Sequence, residues 1–275
     1  MPPPAGRPPA PLTDWTDRLS ADVGPIGAPR PLGGSAWRVT VAGRDLVAKV
    51  GPGVANEAAG LRSLAGVGGA PPVPAVVLDE PDLLVSTWVE EGPRTPAHEE
   101  ALGRGLARLH AAPWPEWGGG SSWIGNCPVS PAVLPDAAAF YRSRLLELAA
   151  RCGMGDPVGS VARVADRLGD LLPPGPPALV HGDLWWGNVL WGADGRPWVI
   201  DPSVHGGHPE EDLAMLGLFG AVPPRLFRAY LEVRSLGDGW EDRVDLFRLV
   251  PLLVHTVLFG GGYRGQVEAI LRRYS

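Results

Sequence analysis

The period of the hydrophobic pattern changes once along this chain, at Glu90-Glu91-Gly92-Pro93. Before that break, apolar residues fall in short runs or in alternation, as half-buried strands require. After it they recur at three- and four-residue spacing, as one face of a helix requires. In the first part, residues 36–41 and 45–50 read as strands joined by a turn at Ala42-Gly43-Arg44, and residues 73–78 and 83–89 as two more. Residues 13–19 suggest a short helix capped by Thr13 or Asp14. Residues 57–65 suggest another, capped by Asn56, with Leu61 and Leu64 on one face. In the second part, helices are predicted over residues 99–112, 135–151 and 158–172, strands over 178–180, 189–191 and 197–200, and mostly helix from Glu211 onward. The expectation is an α+β chain of two lobes: a small β-rich lobe over residues 13–89 and a larger, mostly helical lobe over residues 90–275.

Composition narrows the partners. Gly (38) and Pro (32) make up about a quarter of the 275 residues, and six prolines crowd residues 1–12, which read as an extended tail. Leu, Ile, Val and Phe also make up about a quarter, enough to bury a core. A net charge of −6 offers no basic field for a polyphosphate backbone, so nucleic acid is not an expected partner. The apolar run over residues 251–262 is too short to span a bilayer, and the N-terminus lacks the apolar core of a secretory signal. Cys127 and Cys152 form no metal-type pair and no disulfide framework. A cytoplasmic monomer without a membrane partner is expected. Of 24 basic residues only one is Lys, Lys49. In a chain so biased to Arg, a surviving Lys marks a position where a compact ammonium serves and a planar guanidinium does not.

The chemistry concentrates in His181-Gly182-Asp183-Leu184-Trp185-Trp186-Gly187-Asn188, of the form H-x-D-x-x-x-x-N. This is the spacing of a kinase catalytic loop. There an Asp takes the proton of an attacking hydroxyl, and an Asn five positions on offers its oxygen to a metal. Asp201 ends the strand pattern that follows. An Asp194-Gly195 hairpin turn would bring it beside Asn188, giving an all-oxygen site suited to Mg²⁺. Lys49, on a strand, precedes Glu57 on a helix, as a phosphate-pairing Lys and its holding Glu would. Gly33-Gly34-Ser35 could turn tightly over phosphates, although a plain loop satisfies the same residues. No G-x-x-x-x-G-K-[ST] and no G-x-S-x-G occurs, which excludes a Walker-type NTPase and gives a serine hydrolase no support.

A rival cluster, His205, His208, Glu210, Glu211 and Asp212, could ligate a transition metal. The simpler reading is a helix start with acids at its N-terminus, beside a polar rim for an acceptor. His110 reads as structural.

These residues resemble the fructosamine kinase (ketosamine-3-kinase) family, relatives of aminoglycoside and choline kinases. The run LVHGDLWWGNVL is similar to the family's HGDLWSGN loop, DPSVHGGHPEEDLAM to its DPA…GHRE-DLAM segment, and LLVHTVLFGGGY to its FGG-Y signature. Lys49 and Glu57-Ala58-Ala59-Gly60-Leu61 align as well. The departures are Trp186 in place of Ser and His205-Gly206 in place of an aromatic pair. The Cys of some members' glycine loop is also missing. The resemblance implies a protein-kinase-like fold and ATP- and Mg²⁺-dependent phosphorylation of a ketosamine sugar hydroxyl. Lys49 and Glu57 would hold the ATP phosphates beneath Gly33, Gly34 and Ser35, and Asn188 and Asp201 the metal. Asp183 would act as base, with adenine near Thr87, Trp88 and Val89 and the acceptor near Trp185, Trp186 and His208. The alternatives are an aminoglycoside- or choline-type phosphotransferase and a non-catalytic nucleotide-binding protein.

Overall fold

In the computed structural model, which describes residues 12–152 and 157–274, the alternating segments pair into an antiparallel sheet. Its elements are α1 (Leu12–Val23), β1 (Arg30–Gly33), β2 (Ala36–Val41), β3 (Arg44–Val50), α2 (Val54–Ala65), β4 (Val76–Asp79) and β5 (Leu83–Thr87), with strand order β1-β2-β3-β5-β4. One face buries Trp37, Val39, Leu46, Ala48, Leu83 and Val85 against Trp15 and Leu19 of α1. Strand alternation then puts Lys49 on the other face, in register with Ala36 of β2 and Leu84 of β5. The tail expected over residues 1–12 lies outside the described residues except for Leu12, which opens α1.

Two local expectations are corrected. β1 was not predicted, because Arg30, Pro31, Leu32 and Gly33 are all exposed and carry no alternation. Asn56 does not cap α2. The helix begins three residues earlier than expected, behind Gly53 in the left-handed region (φ 89°). The Asn56 side chain instead accepts hydrogen bonds from the Ser122 N–H (3.1 Å) and hydroxyl (3.3 Å).

The second lobe begins with α3 (Pro96–Leu109), whose N-cap Thr95 accepts from the His98 N–H. Short strands β6 (Trp117–Gly118), β7 (Trp123–Ile124), β8 (Cys127–Pro128) and β9 (Val133–Leu134) follow, then α4 (Ala137–Arg151), capped by Asp136. The helix expected over residues 158–172 is two pieces, α5 (Pro157–Asp166) and α6 (Leu168–Leu171). Val161, Val164, Ala165 and Leu168 stay buried in one core through the break, so the periodicity reads as continuous. Next come β10 (Ala178–Val180), β11 (Val189–Trp191), β12 (Pro197–Val199), β13 (His205–Gly207), α7 (Pro209–Leu216), α8 (Pro224–Leu231), α9 (Trp240–Phe259) and α10 (Arg264–Tyr274). Among the described residues no helix is long and apolar enough to cross a membrane.

A single core cluster joins the two lobes. It runs from Leu61 and Leu64 of α2 through Leu102 and Leu106 of α3 to Leu184, Leu213 and Tyr230. α3 packs on α8 at Gly103, where an added Cβ would lie 2.2 Å from the Leu226 carbonyl oxygen. Backbone cannot yield as a side-chain tip can, so Gly103→Ala is expected to cost about 1–3 kcal/mol. A thermal melt unchanged from wild type would disprove this.

Candidate active site

The catalytic-loop residues are held by short strands on both sides. β10 pairs antiparallel with β13, and β11 with β12 through the turn at Asp194-Gly195. The β11–β12 register puts Val189 opposite Val199. The pairing then continues, with the Ile200 N–H donating to the Asn188 carbonyl at 3.0 Å. Asp201 therefore stands one residue beyond the partner of Asn188. Its backbone is left-handed (φ 57°), one of two such non-glycine residues among those described. Asp tolerates this conformation better than most residues, and its use here re-aims the carboxylate at the end of a strand.

Within the loop, Asn188 donates from Nδ2 to the Asp183 carbonyl oxygen (2.8 Å) and, at 3.5 Å, to its Oδ2. That leaves the amide oxygen of Asn188 without a protein donor among the described residues. His181 is buried, with Nε2 meeting the Ile200 carbonyl at 3.0 Å. Asp212 anchors the loop from below. Its buried carboxylate accepts the N–H groups of His181 (2.8 Å) and Gly182 (2.9 Å) and meets His110 Nε2 at 3.0 Å. These donors hold the Asp212 carboxyl below its ordinary value even though burial, the largest single influence, acts to raise it. Burial, then the charges of Asp201 and Asp212, push the Asp183 carboxyl up to about 7.

Lys49 reaches the same point from the first lobe. Its ammonium donates to Glu57 Oε1 at 2.7 Å and to Asp201 Oδ1. Burial alone would lower its pKa, but the charges of Asp201 and Glu57 outweigh that and raise it. Burial raises the Glu57 carboxyl in turn, against the opposing pull of Lys49. Lys49, Glu57 and Asp201 lie where two clefts meet. One, about 1020 Å³ of space open to solvent, is lined by Val47, Pro74, Trp88, Val89, Leu190 and Ile200. The other, about 790 Å³, is lined by Gly33, Gly34, Ser35, Trp123, Gly125 and Asn126. Gly34 (φ 55°) opens the two-residue turn Gly34-Ser35 between β1 and β2, and Gly33 (φ 120°) ends β1 where its register with β2 shifts. An all-oxygen pair, Asn188 and Asp201, next to an open cleft suits a hard divalent cation that keeps some waters.

Behind Asp183 is a third cavity, lined by Phe140, Tyr141, Arg144, His205, Glu211 and Phe247 among others. Three residues expected around the acceptor are not among its lining residues. His208 is the N-cap of α7. Its Nδ1 accepts from the Glu210 N–H (3.3 Å) and its ring stacks on Phe247, with centroids 5.2 Å apart. Burial, then Arg243, lower it to about 3, so it is the neutral acceptor a cap needs. Trp186 packs beside Trp191 (centroids 6.2 Å apart), with the Arg94 guanidinium 4.7 Å above it. Trp185, half-exposed, meets the edge of Phe219. Thr87, expected near the adenine, is outside the lining of the 1020 Å³ cleft, and its hydroxyl accepts from the Ala75 N–H. His205 uses both ring nitrogens, on the Ser203 carbonyl (2.9 Å) and Glu211 (2.9 Å), so it has none left for a metal.

Sequence reasoning missed the β7–β8 hairpin, whose tip, Gly125-Asn126, lines the 790 Å³ cleft beside the Gly33-Gly34-Ser35 segment. A Cβ on Gly125 would lie 3.8 Å from Asp183 Oδ2. Gly-Asn between two apolar pairs is a hairpin signal that could have found it.

The profile of the fructosamine kinase family matches residues 48–275. A probable ketoamine kinase of Synechocystis is 36% identical over 204 residues, which cover 69% of this chain and 66% of that protein's length. A solved structure of a Thermobifida fusca protein that carries the name fructosamine-3-kinase superposes with a TM-score of 0.85 at 37% identity, covering 95% of this chain and 98% of that one. An aminoglycoside phosphotransferase in ternary complex with ADP and hygromycin B shares the fold at 19% identity (TM-score 0.66, covering 94% of this chain and 98% of that one). With a match over most of its length and the loop, lysine and carboxylates assembled at one cleft, this chain belongs to the fructosamine kinase family.

Proposed function

We propose that this protein transfers the γ-phosphoryl group of ATP, with Mg²⁺, to a sugar hydroxyl of a small ketosamine. One observation carries the reading: Lys49, Glu57 and Asp201 stand at the junction of two clefts, with Asn188 and Asp183 beside them. The apolar cleft between Val47 and Leu190 suits an adenine, and the glycine turn with Lys49 suits the phosphates. Asn188 and Asp201 would hold Mg²⁺, which supplies charge neutralisation on the phosphate oxygens. Asp183 orients the acceptor hydroxyl and takes its proton as that oxygen bonds to the γ-phosphorus and the bond to the β-phosphate breaks. ADP leaves with the bridging oxygen. Most of the rate enhancement then comes from positioning and electrostatics.

The test is an ATP-consumption assay over fructose-, ribulose- and erythrulose-amines, aminoglycosides and choline, with products identified by mass. Turnover with a ketosamine and a mass gain of one phosphoryl group is the expected result. Turnover confined to an aminoglycoside or choline would reassign the acceptor. Nucleotide binding with no acceptor turned over would make the protein a nucleotide-binding relative without catalysis.

A further inference from the structure

The cavity behind Asp183 contains a cation that makes no ion pair with a carboxylate among the described residues. Arg144, on α4, is 4% exposed and lines that cavity together with Asp183. Its Nη2 donates to the Ser130 carbonyl at 3.1 Å, and its guanidinium carbon lies 5.3 Å from the Phe140 ring centroid. Among the described residues no carboxylate pairs with it, because the nearby acids are engaged elsewhere. Glu211 meets His205 Nε2 at 2.9 Å and accepts from the Tyr141 hydroxyl. Glu147 accepts the Ser130 N–H at 3.1 Å and faces Arg151. Burial lowers the Arg144 pKa from its ordinary value, against the charges of Glu147 and Glu211, which act to raise it.

A guanidinium has five donors, and this one uses a single donor on protein. A buried, unpaired charge is costly to keep, and the cost falls away when an anion arrives. The planar fork of Arg matches a carboxylate in two parallel hydrogen bonds, a fit that a lone hydroxyl does not offer. The apolar walls at Phe140, Met215 and Phe247 exclude the water that would weaken such a pair.

We propose that Arg144 receives the carboxylate of the acceptor, so that the preferred acceptor is the ketosamine of a free α-amino acid. This inference rests on the ketosamine kinase reading. The acceptor is held at two ends, with the reacting hydroxyl at Asp183 and the carboxylate at Arg144. Its amine stays cationic, so the molecule is a zwitterion whose positive charge offsets the carboxylates of Asp183, Glu211 and Asp212 that line the same cavity.

The experiment compares 1-deoxyfructosyl-glycine with 1-deoxyfructosyl-glycinamide, which differ only in the carboxylate. Wild type is expected to prefer the acid by about tenfold or more in kcat/KM, the scale of a lost charged hydrogen bond. Arg144→Gln is expected to erase that preference and Arg144→Lys to keep part of it, with KM for ATP unchanged in both. Equal use of acid and amide by wild type would overturn the proposal and leave the kinase reading intact. A preference for the acid that survives in Arg144→Gln would also overturn it. Calorimetry on nucleotide-free wild type separates the two readings. Selective binding of the acid without phosphorylation of either compound would keep the Arg144 assignment and remove the kinase. Should Arg144→Gln fail to fold by circular dichroism, the wild-type acid-to-amide ratio decides.

Discussion

Asp183→Asn is expected to lower turnover by about 10²–10⁴-fold, the usual worth of a positioned general base, while Mg·ATP still binds. Asp183 lies beside Asn188 and the acceptor cavity, and Lys49 contacts Asp201 rather than Asp183. Removing its charge therefore takes away the proton acceptor and leaves the nucleotide's contacts. Asp201→Ala is expected to act the other way. It would remove one of the two oxygen ligands proposed for Mg²⁺ and one of the two anchors of Lys49, so Mg²⁺-dependent activity is expected to disappear and nucleotide binding to weaken with it. Calorimetry on both variants checks the assignment. Loss of Mg·ATP binding in Asp183→Asn, with binding retained in Asp201→Ala, would reverse the two roles.

Lys49→Arg is expected to fold but to turn over at least about tenfold more slowly, because a planar fork cannot replace a point charge shared between two carboxylates. The site is narrow: the ammonium is 2.7 Å from Glu57 and also contacts Asp201. A longer side chain must displace Glu57 or withdraw from the phosphates. Wild-type rates in a well-folded Lys49→Arg protein would show that any cation serves there.

What could be seen in the sequence was local. The catalytic loop is one continuous segment, Lys49 and Glu57 are eight residues apart, and the Asp194-Gly195 turn fixes how Asp201 returns to Asn188. Asp212 reads from the sequence as a helix-start acid or as part of a candidate metal cluster, although it anchors His181 about thirty residues away. Nothing local to Pro209–Leu216 signals that contact. Arg144 was missed for a similar reason: on a predicted helix it looks like any surface Arg, and only tertiary packing buries it. Trp186 is expected at the acceptor from the resemblance, where it stands in place of Ser, and His208 as part of a polar rim. Position along the chain does not fix side-chain direction, and Trp186 packs beside Trp191 while His208 caps α7. The strands β6 to β9 of the second lobe, two residues each, are too short for period-two alternation to emerge.

The segment before the β7–β8 hairpin has a mechanical consequence. Ser122 is tied to Asn56 of the first lobe, the Trp123 carbonyl accepts from Ser203 of the second, and the Trp123 indole lies 3.1 Å from where a Cβ on Gly53 would be. At the crossover between the lobes, the Gly92 N–H meets the Trp191 carbonyl and the Ala193 N–H meets the Glu90 carbonyl, which pins the connecting segment to the second lobe. The lobes are thus joined by that segment and fastened again between Asn56 and Ser122, like a purse with a clasp facing its hinge. Wide gaping has to undo that clasp, so the width of the cleft depends on whether Ser122 keeps its two hydrogen bonds to Asn56.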